Sequence, residues 1–361
     1  MGKRPTERVC SRMPDTSLLG SPPGPSLTQP ERLAFGQRRI VLPVAGFVAL
    51  AAIYAGLVFL TLAARTPLAF ILSPLCGFLI GVLFIVGHDA CHNSLTRSLW
   101  LNRIIGRIAF LPALHSFSLW DLAHNRLHHR YNNVRGLDVV WEPLSPAEYR
   151  ARGKFRRWMY RFYHTPGGVP FYYMIELWAP YFCCSLPVIY RNMRAVYLAD
   201  AALVLLFFAA QVSVVLSVGG MFGHAPLVSL AVGIVVPFLV WNGLISIIVF
   251  VHHTHPAVRW YPTVAAWQAD RGATSGTAHV RFAWPIGPMV LSIMEHNAHH
   301  VAPGVPLYNL RRMQGALAAR EHILTWQFSF RGFVRICQRC KLYDYDADHW
   351  TTFDEAQSRR T

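Results

Sequence analysis

The chain has 361 residues, of which 53% are hydrophobic and only 14% charged, with a formal net charge of +16. A soluble domain of ordinary composition carries about 25% charged residues, so this balance speaks against a water-soluble globule and for a membrane protein. The basic excess could serve nucleic acid, an anionic membrane surface or the topology bias of an integral protein, and no nucleic-acid motif accompanies it.

Residues 1–39 are rich in Pro, Ser, Gly and Arg and read as a disordered basic tail. They lack the short apolar core and cleavage site of a secretory signal. Two apolar runs follow, over 40–64 and 68–87, each sufficient for a bilayer, which takes about 20 residues. The short break at Arg65-Thr66-Pro67 makes them a helical hairpin. If the second helix runs on into solvent, His88 and His92 lie one turn apart on one face. Residues 104–120 are apolar but interrupted by Arg107, Pro112 and His115, which predicts a re-entrant or interfacial helix. Residues 121–170 are polar and basic. Residues 171–190 are aromatic, with Glu176, Pro180 and Pro187 inside, and are also expected at the headgroup level. Runs over 196–219 and 226–251 form a second hairpin around Gly219, Gly220, Gly223 and His224. Beyond His252 no apolar run is long enough to span, and 346–361 reads as a C-terminal tail. The seven cysteines suggest no disulfide framework, and Cys337-Gln338-Arg339-Cys340 is a lone CxxC, read as free thiols.

Lys and Arg give the orientation. There are 7 in residues 1–39, 14 in 88–195 and 12 from 251 onward, and only Arg65 in the two tight loops. Positive segments stay cytoplasmic, so both termini and everything polar between the hairpins are expected on that side.

Three His-dense stretches fall there: His88-Asp89-Ala90-Cys91-His92, His124-Asn125-Arg126-Leu127-His128-His129 and His296-Asn297-Ala298-His299-His300. One such stretch alone is an ordinary polar surface. Together they offer eight imidazoles: His88, His92, His124, His128, His129, His296, His299 and His300. A zinc ion wants about four ligands, so two ions with several imidazoles each fit better, and imidazole suits Fe, Zn and Cu. The Glu and Glu-x-x-His pattern of carboxylate-rich di-iron bundles is absent. A zinc protease needs HExxH, and Asp89, one methylene shorter, stands where that Glu belongs. A nitrogen-rich site beside lipid suggests oxygen activation on a lipidic substrate, with zinc hydrolysis as the rival.

These stretches resemble the three histidine boxes of the membrane fatty acid desaturase and hydroxylase superfamily, and the layout is similar from about residue 40 to 340. Val251-His252-His253-Thr254-His255-Pro256, and His299-His300-Val301 running on to Pro306-Leu307-Tyr308, resemble segments of acyl-lipid desaturases of the Δ12/ω-6 type. The resemblance implies an all-α integral membrane fold with four transmembrane helices in two hairpins, interfacial helices and a cytoplasmic helical cap holding a di-metal site, with 40–345 as the desaturase domain. It implies two non-haem iron ions and O2-dependent desaturation of an acyl-lipid or acyl-thioester. An unactivated C–H bond offers no acid or base handle, so the oxidant has to come from the cofactor. No redox domain is visible, so electrons are expected from an external donor of ferredoxin or cytochrome b5 type.

The resemblance also implies a further ligand at the end of the fourth span. His255 best matches that place, His252 is a second candidate as ligand or water holder, and His253 is expected to bond a backbone carbonyl. Asp89, Asp121, Asp138, Glu142 and Glu295 are candidates to receive the second N–H of a ligating imidazole, against the alternative of ordinary ion pairs with Arg. Asn125 and Asn297 are placed to cap or bridge. His115, His224, His279, His322 and His349 are isolated and assigned to no metal, and His164 is read as part of a turn. Trp267, Trp284 and Tyr261 are expected to pack ordinarily rather than line an acyl tunnel. Two alternatives stay open. One is a hydroxylase or ketolase of the same superfamily, acting on alkane, sterol or carotenoid. The other is a metal transporter or binding protein, which would want ionisable residues inside the spans; they hold almost none beyond Asp200.

Overall fold

The structure is a computed structural model and describes residues 27–183 and 195–358. Most of it is helix. Among the described residues, four helices are long and apolar enough to cross a membrane: Val41–Ala63, Thr66–Cys91, Ala195–Met221 and Pro226–His253. They coincide with the four apolar runs of the sequence, but the second and fourth continue past their apolar parts to reach His88 and His253. At 1.5 Å per residue, 26 residues make the second span about 39 Å long. Pro67 opens this helix, where its missing N–H is no loss.

The chain divides into two compact units. One comprises Gln37–Asp121 and Trp178–Ile245 and holds most of the spans. Here the first and second spans pack together through Phe47, Leu83, Val86 and Ala90, while Leu42, Ile53, Ile71, Leu205 and Leu206 remain outward and exposed. Gly77 permits the close approach of the second span to the fourth. A Cβ there would meet the Pro237 carbonyl oxygen at 2.5 Å and Val240 Cβ at 2.7 Å. Nearby, the Ser73 hydroxyl donates to the Val232 carbonyl at 2.6 Å.

The single interfacial helix expected over 104–120 is replaced by three pieces. Leu99–Phe110 is capped by Ser98, Leu111–Ala113 is a 3-10 turn, and Phe117–Trp120 follows. Pro112 and the left-handed Leu114 (φ 53°) enforce the break. Arg107 pairs with Asp200 at 2.7 Å, and Asp200 also accepts the Ser118 N–H at 2.9 Å. The charge of Asp200, near the start of the third span, is thereby balanced. His115 lies buried among Phe84, Trp120 and Trp241 and donates from Nδ1 to the Ala113 carbonyl. Burial pushes its pKa down to about 3, so it stays neutral.

The other unit gathers the described part of Met1–Gly36 with Leu122–Leu177 and Ser246–Thr361. It is not purely helical. Strand β1 (His279–Arg281) pairs in parallel with β2 (Thr325–Gln327), and β3 (Leu342–Asp344) pairs antiparallel with β4 (His349–Thr351). Both pairs carry the β-branched and aromatic residues that suit strands, in runs too short to register as apolar patterns. The expected tail over 346–361 is partly structured: β4 and the helix Glu355–Ser358 fall inside it, and the Trp350 indole donates to the Val258 carbonyl at 2.8 Å. The expected N-terminal disorder is likewise interrupted by the helix Gln29–Phe35. Glu31 there accepts the Thr28 N–H and pairs with Arg320. Residues 1–26 lie outside the described part. So do residues 184–190 of the aromatic 171–190 segment; its earlier part continues the α-helix Val169–Tyr172 into the π-wound Tyr173–Cys183. Cys337 and Cys340 are buried free thiols.

Gly77→Ala should destabilise the spans by about 1–3 kcal/mol, the usual cost of overpacking. Gly46→Ala, where a new Cβ meets nothing within 4 Å, should be neutral or mildly favourable. Thermal unfolding of the two variants in detergent checks this; equal midpoints would contradict the close approach at Gly77.

Candidate metal centre

The second box is wound in an unusual way. Asp121–His128 forms a π-helix and His129–Tyr131 continues as α. Winding of the i→i+5 type brings side chains five apart into line. His124 and His129 accordingly meet, with their Nε2 atoms 3.0 Å apart. His128, one residue earlier, faces elsewhere. The third box lies on the short helix His296–Val301. Its i, i+4 pair His296 and His300 meet at 3.1 Å between Nε2 atoms, while His299 points to His129 at 3.0 Å.

Within this unit the imidazoles therefore sort into two groups. In the first, His124, His129 and His299 converge. In the second, His128, His253, His296 and His300 are all buried, with ligand atoms within 4.8 Å of one another. His253 Nε2 stands 2.9 Å from His296 Nε2. His296 Nε2 thus faces two other Nε2 atoms, and one proton can satisfy only one of those contacts. A cation shared by all of them resolves the conflict. Nitrogens about 3.0 Å apart are spaced like neighbouring ligands at a right angle on an ion with metal–nitrogen bonds of about 2.1 Å. The donor set fits a transition ion and suits neither Ca2+ nor Mg2+, which take oxygen. Burial, reinforced by the neighbouring imidazoles, holds His296 and His300 well below the ordinary histidine pKa. They are neutral, as ligation requires.

Two side chains fix the orientation of the second group. His128 Nδ1 donates to Asp138, 3.0 and 3.1 Å from its two oxygens, and Asp138 also accepts the backbone N–H groups of Asn133 and Val140. His253 Nδ1 donates to Asn133 Oδ1 at 3.0 Å, and the Asn133 amide is held the right way round by donating to the Arg259 carbonyl at 2.9 Å. Both imidazoles are thereby left with Nε2 lone pairs facing the group. Asn297 anchors the third box by donating to the Thr274 and Thr277 carbonyls.

Several sequence expectations are placed differently. His255 joins neither group: its Nδ1 accepts the Ala257 N–H at 3.1 Å. The fourth span ends at His253, because the residue before a proline is disfavoured in helix and Pro256 follows His255. His253 is the residue of that stretch that enters a group, and the backbone bond expected of it, to Gly276, acts on it as well. His252 is buried beside it, its ring stacked on His296 at 4.0 Å, but it is not among the four. Of the five acidic candidates, Asp138 meets a box imidazole, that of His128. Glu295 pairs with His279 Nε2 at 2.9 Å, Glu142 accepts the Gly136 N–H, and Asp89 accepts the Ser94 hydroxyl. Asp121 is half-buried at the start of the π turn. Asn133 was missed by the sequence reading. It lies outside every box, nine residues past the start of box two, and only its nearness to Asp138 in the chain hinted at it. His88 and His92 belong to the other unit. They stand on and just past the last turn of the second span, with ring centroids 4.7 Å apart, in keeping with the expected shared face.

Known proteins are similar to this chain over most of its length. It is 29% identical to the sn-1 oleoyl-lipid 12-desaturase of Synechocystis sp., over 72% of each chain. It is 27% identical to the protein of the same name from Picosynechococcus sp., over 79% of each. It is 26% identical to the chloroplastic omega-6 fatty acid desaturase of Arabidopsis thaliana, over 77% of this chain and 60% of the other. A sequence profile described as fatty acid desaturase matches residues 65–329, a stretch that takes in all three boxes, both imidazole groups and Asp138: the chain belongs to the fatty acid desaturase family.

Proposed function

We propose that the chain is an integral membrane oxidoreductase that converts a –CH2–CH2– unit of a lipid-linked acyl chain to –CH=CH–, in the Δ12/ω-6 branch of the family. O2 is reduced to two waters, with two hydrogens from the substrate, two protons from solvent and two electrons from a separate donor of ferredoxin or cytochrome b5 type. The observation that carries this reading is the convergence of buried imidazoles into two groups. The names of the relatives supply the substrate class and bond position.

His128, His253, His296 and His300 would hold one iron ion. His124, His129 and His299 would hold the other, and His88 and His92 of the first box are further candidate ligands. When bound, the two ions supply the oxidising power that no amino-acid side chain has. The chain's own residues do the rest. Asp138 and Asn133 keep His128 and His253 in the tautomer that offers Nε2. Buried Trp260, whose indole donates to the His253 carbonyl, helps keep water from the neighbourhood of the imidazoles, which suppresses side reactions of a strong oxidant. The spans form two hairpins with both termini and all three boxes on the cytoplasmic side, as the distribution of Lys and Arg supports.

Fatty acid profiling after expression in a host that makes oleoyl lipids tests the function. The expected result is a new species lighter by two hydrogens; a species heavier by one oxygen would instead make the chain a hydroxylase. The ligand assignment separates two neighbouring histidines. His253→Ala should lose about half of the bound iron and all product, while His255→Ala should keep both; iron loss in His255→Ala with retention in His253→Ala would sink the assignment. Asp138→Asn keeps shape but removes the charge, and should weaken iron binding by about 10–100-fold, read by competition with a chelator.

A further inference from the structure

The helix Lys154–Tyr163 plays no part in the metal reading, yet its surface is unusual. One face is committed inward. The Tyr160 hydroxyl accepts the Leu144 N–H at 3.0 Å and donates to the Lys341 carbonyl at 2.8 Å. The Tyr163 side chain is buried and donates to Glu176 at 3.2 Å. Another face carries Phe155, Trp158 and Phe162 at i, i+3 and i+7. Their rings follow one another at centroid spacings of 6.0 Å and 6.0 Å. Phe155 is 68% and Trp158 59% exposed. Phe171, 5.8 Å from Phe162, extends the stripe beyond the helix. A contiguous exposed aromatic patch of this kind marks a surface that is covered in use.

The charge beside the stripe says by what. Six of the twelve residues from 150 to 161 are Lys or Arg, and no Asp or Glu occurs from 149 to 175. Some of these cations have intramolecular work: Arg150 donates to the Ala356 carbonyl, Arg161 to the Tyr149 hydroxyl, and Arg156 approaches Glu176. Among the described residues no carboxylate pairs with Arg152, Lys154 or Arg157. We propose that this helix lies flat in the surface of an anionic bilayer, with Phe155, Trp158 and Phe162 inserted at the boundary between headgroups and acyl chains and Lys154 and Arg157 on lipid phosphates. Rings in a row with cations along the flank suit a lipid surface. An acidic protein would instead call for cations in the centre of the patch. The membrane here is a second, peripheral contact of the chain, distinct from its spans, and it does not depend on the enzyme reading.

The test uses the full chain in nanodiscs of phosphatidylcholine with a fraction of phosphatidylglycerol, carrying p-benzoylphenylalanine in place of Trp158 or, as an aqueous control, of the exposed Asp346. On irradiation, position 158 should form lipid adducts at several times the yield of position 346. Phosphatidylglycerol should exceed its mole fraction among them, and Lys154→Glu with Arg157→Glu should abolish that excess while phosphatidylcholine adducts persist. Equal yields at 158 and 346, or capture of an added acidic protein in place of lipid, overturn the proposal; so does a phosphatidylglycerol excess that survives the double substitution.

Discussion

Four imidazole nitrogens brought together inside a protein repel every arrangement that leaves their lone pairs facing one another. That is the situation of His128, His253, His296 and His300, whose ligand atoms lie within 4.8 Å. Protonation would relieve one contact, but burial opposes charge on His296 and His300. A buried polar atom without a partner costs about 1–3 kcal/mol, so a cluster of them is a standing cost to the fold. A shared cation turns that cost into stabilisation, because ligand binding to the folded state alone is folding free energy. It also ties together three segments that are far apart in sequence, the second box, the end of the fourth span and the third box. Their mutual ordering is otherwise resisted by loop-closure entropy.

The stretch between the second box and Asp138 is built to serve this arrangement. Asn133 and Gly136 both have positive φ, 60° and 74°, a region that asparagine and glycine enter most readily. The turn so formed is stitched to the chain beyond the fourth span. Arg135 N–H donates to the Tyr261 carbonyl, and Tyr261 N–H donates to the Asn133 carbonyl. One short turn thus delivers two orienting groups, a carboxylate for His128 and an amide for His253, to imidazoles from different parts of the sequence. Asp138 has a double duty, since it also accepts the Asn133 N–H at 2.8 Å. Disturbing it would loosen both imidazoles.

What the sequence revealed follows the range of the physics involved. The spans were legible because apolar length is a local property; the box histidines stood out by their density, and the structure brings His124, His129 and His299 together and His128, His296 and His300 together. At the end of the fourth span the sequence favoured His255, whereas the helix stops at His253, ahead of Pro256, and it is His253 that enters a group. Asp138 was visible only as one of five carboxylates, since an acidic residue says nothing of which imidazole it will meet. Asn133 could not be singled out at all; its role depends on a left-handed turn and on the Arg259 carbonyl, both settled by tertiary structure. The short strands over 279–281 and 342–344 escaped because three residues carry too little pattern to compete with helix.

The partition of the boxes shows why their spacing is irregular. Were box two a plain α-helix, His124 and His128 would share a face and His129 would stand apart. The π winding pairs His124 with His129 and turns His128 away. In box three the α-helix pairs His296 with His300 and frees His299 to meet His129. Boxes two and three therefore each end in two adjacent histidines that fall in different groups, His128 beside His129 and His299 beside His300. Neighbouring Cα atoms are held 3.8 Å apart by the trans peptide, so each doublet is a rigid spacer between the groups. The stacked rings of His129 and His300, 4.3 Å apart, lie where the two groups meet. A pair of ions bound to these groups would have their separation set by covalent geometry at two places. A reaction that draws on both ions at once needs that kind of constraint, and one ion alone would have no use for it.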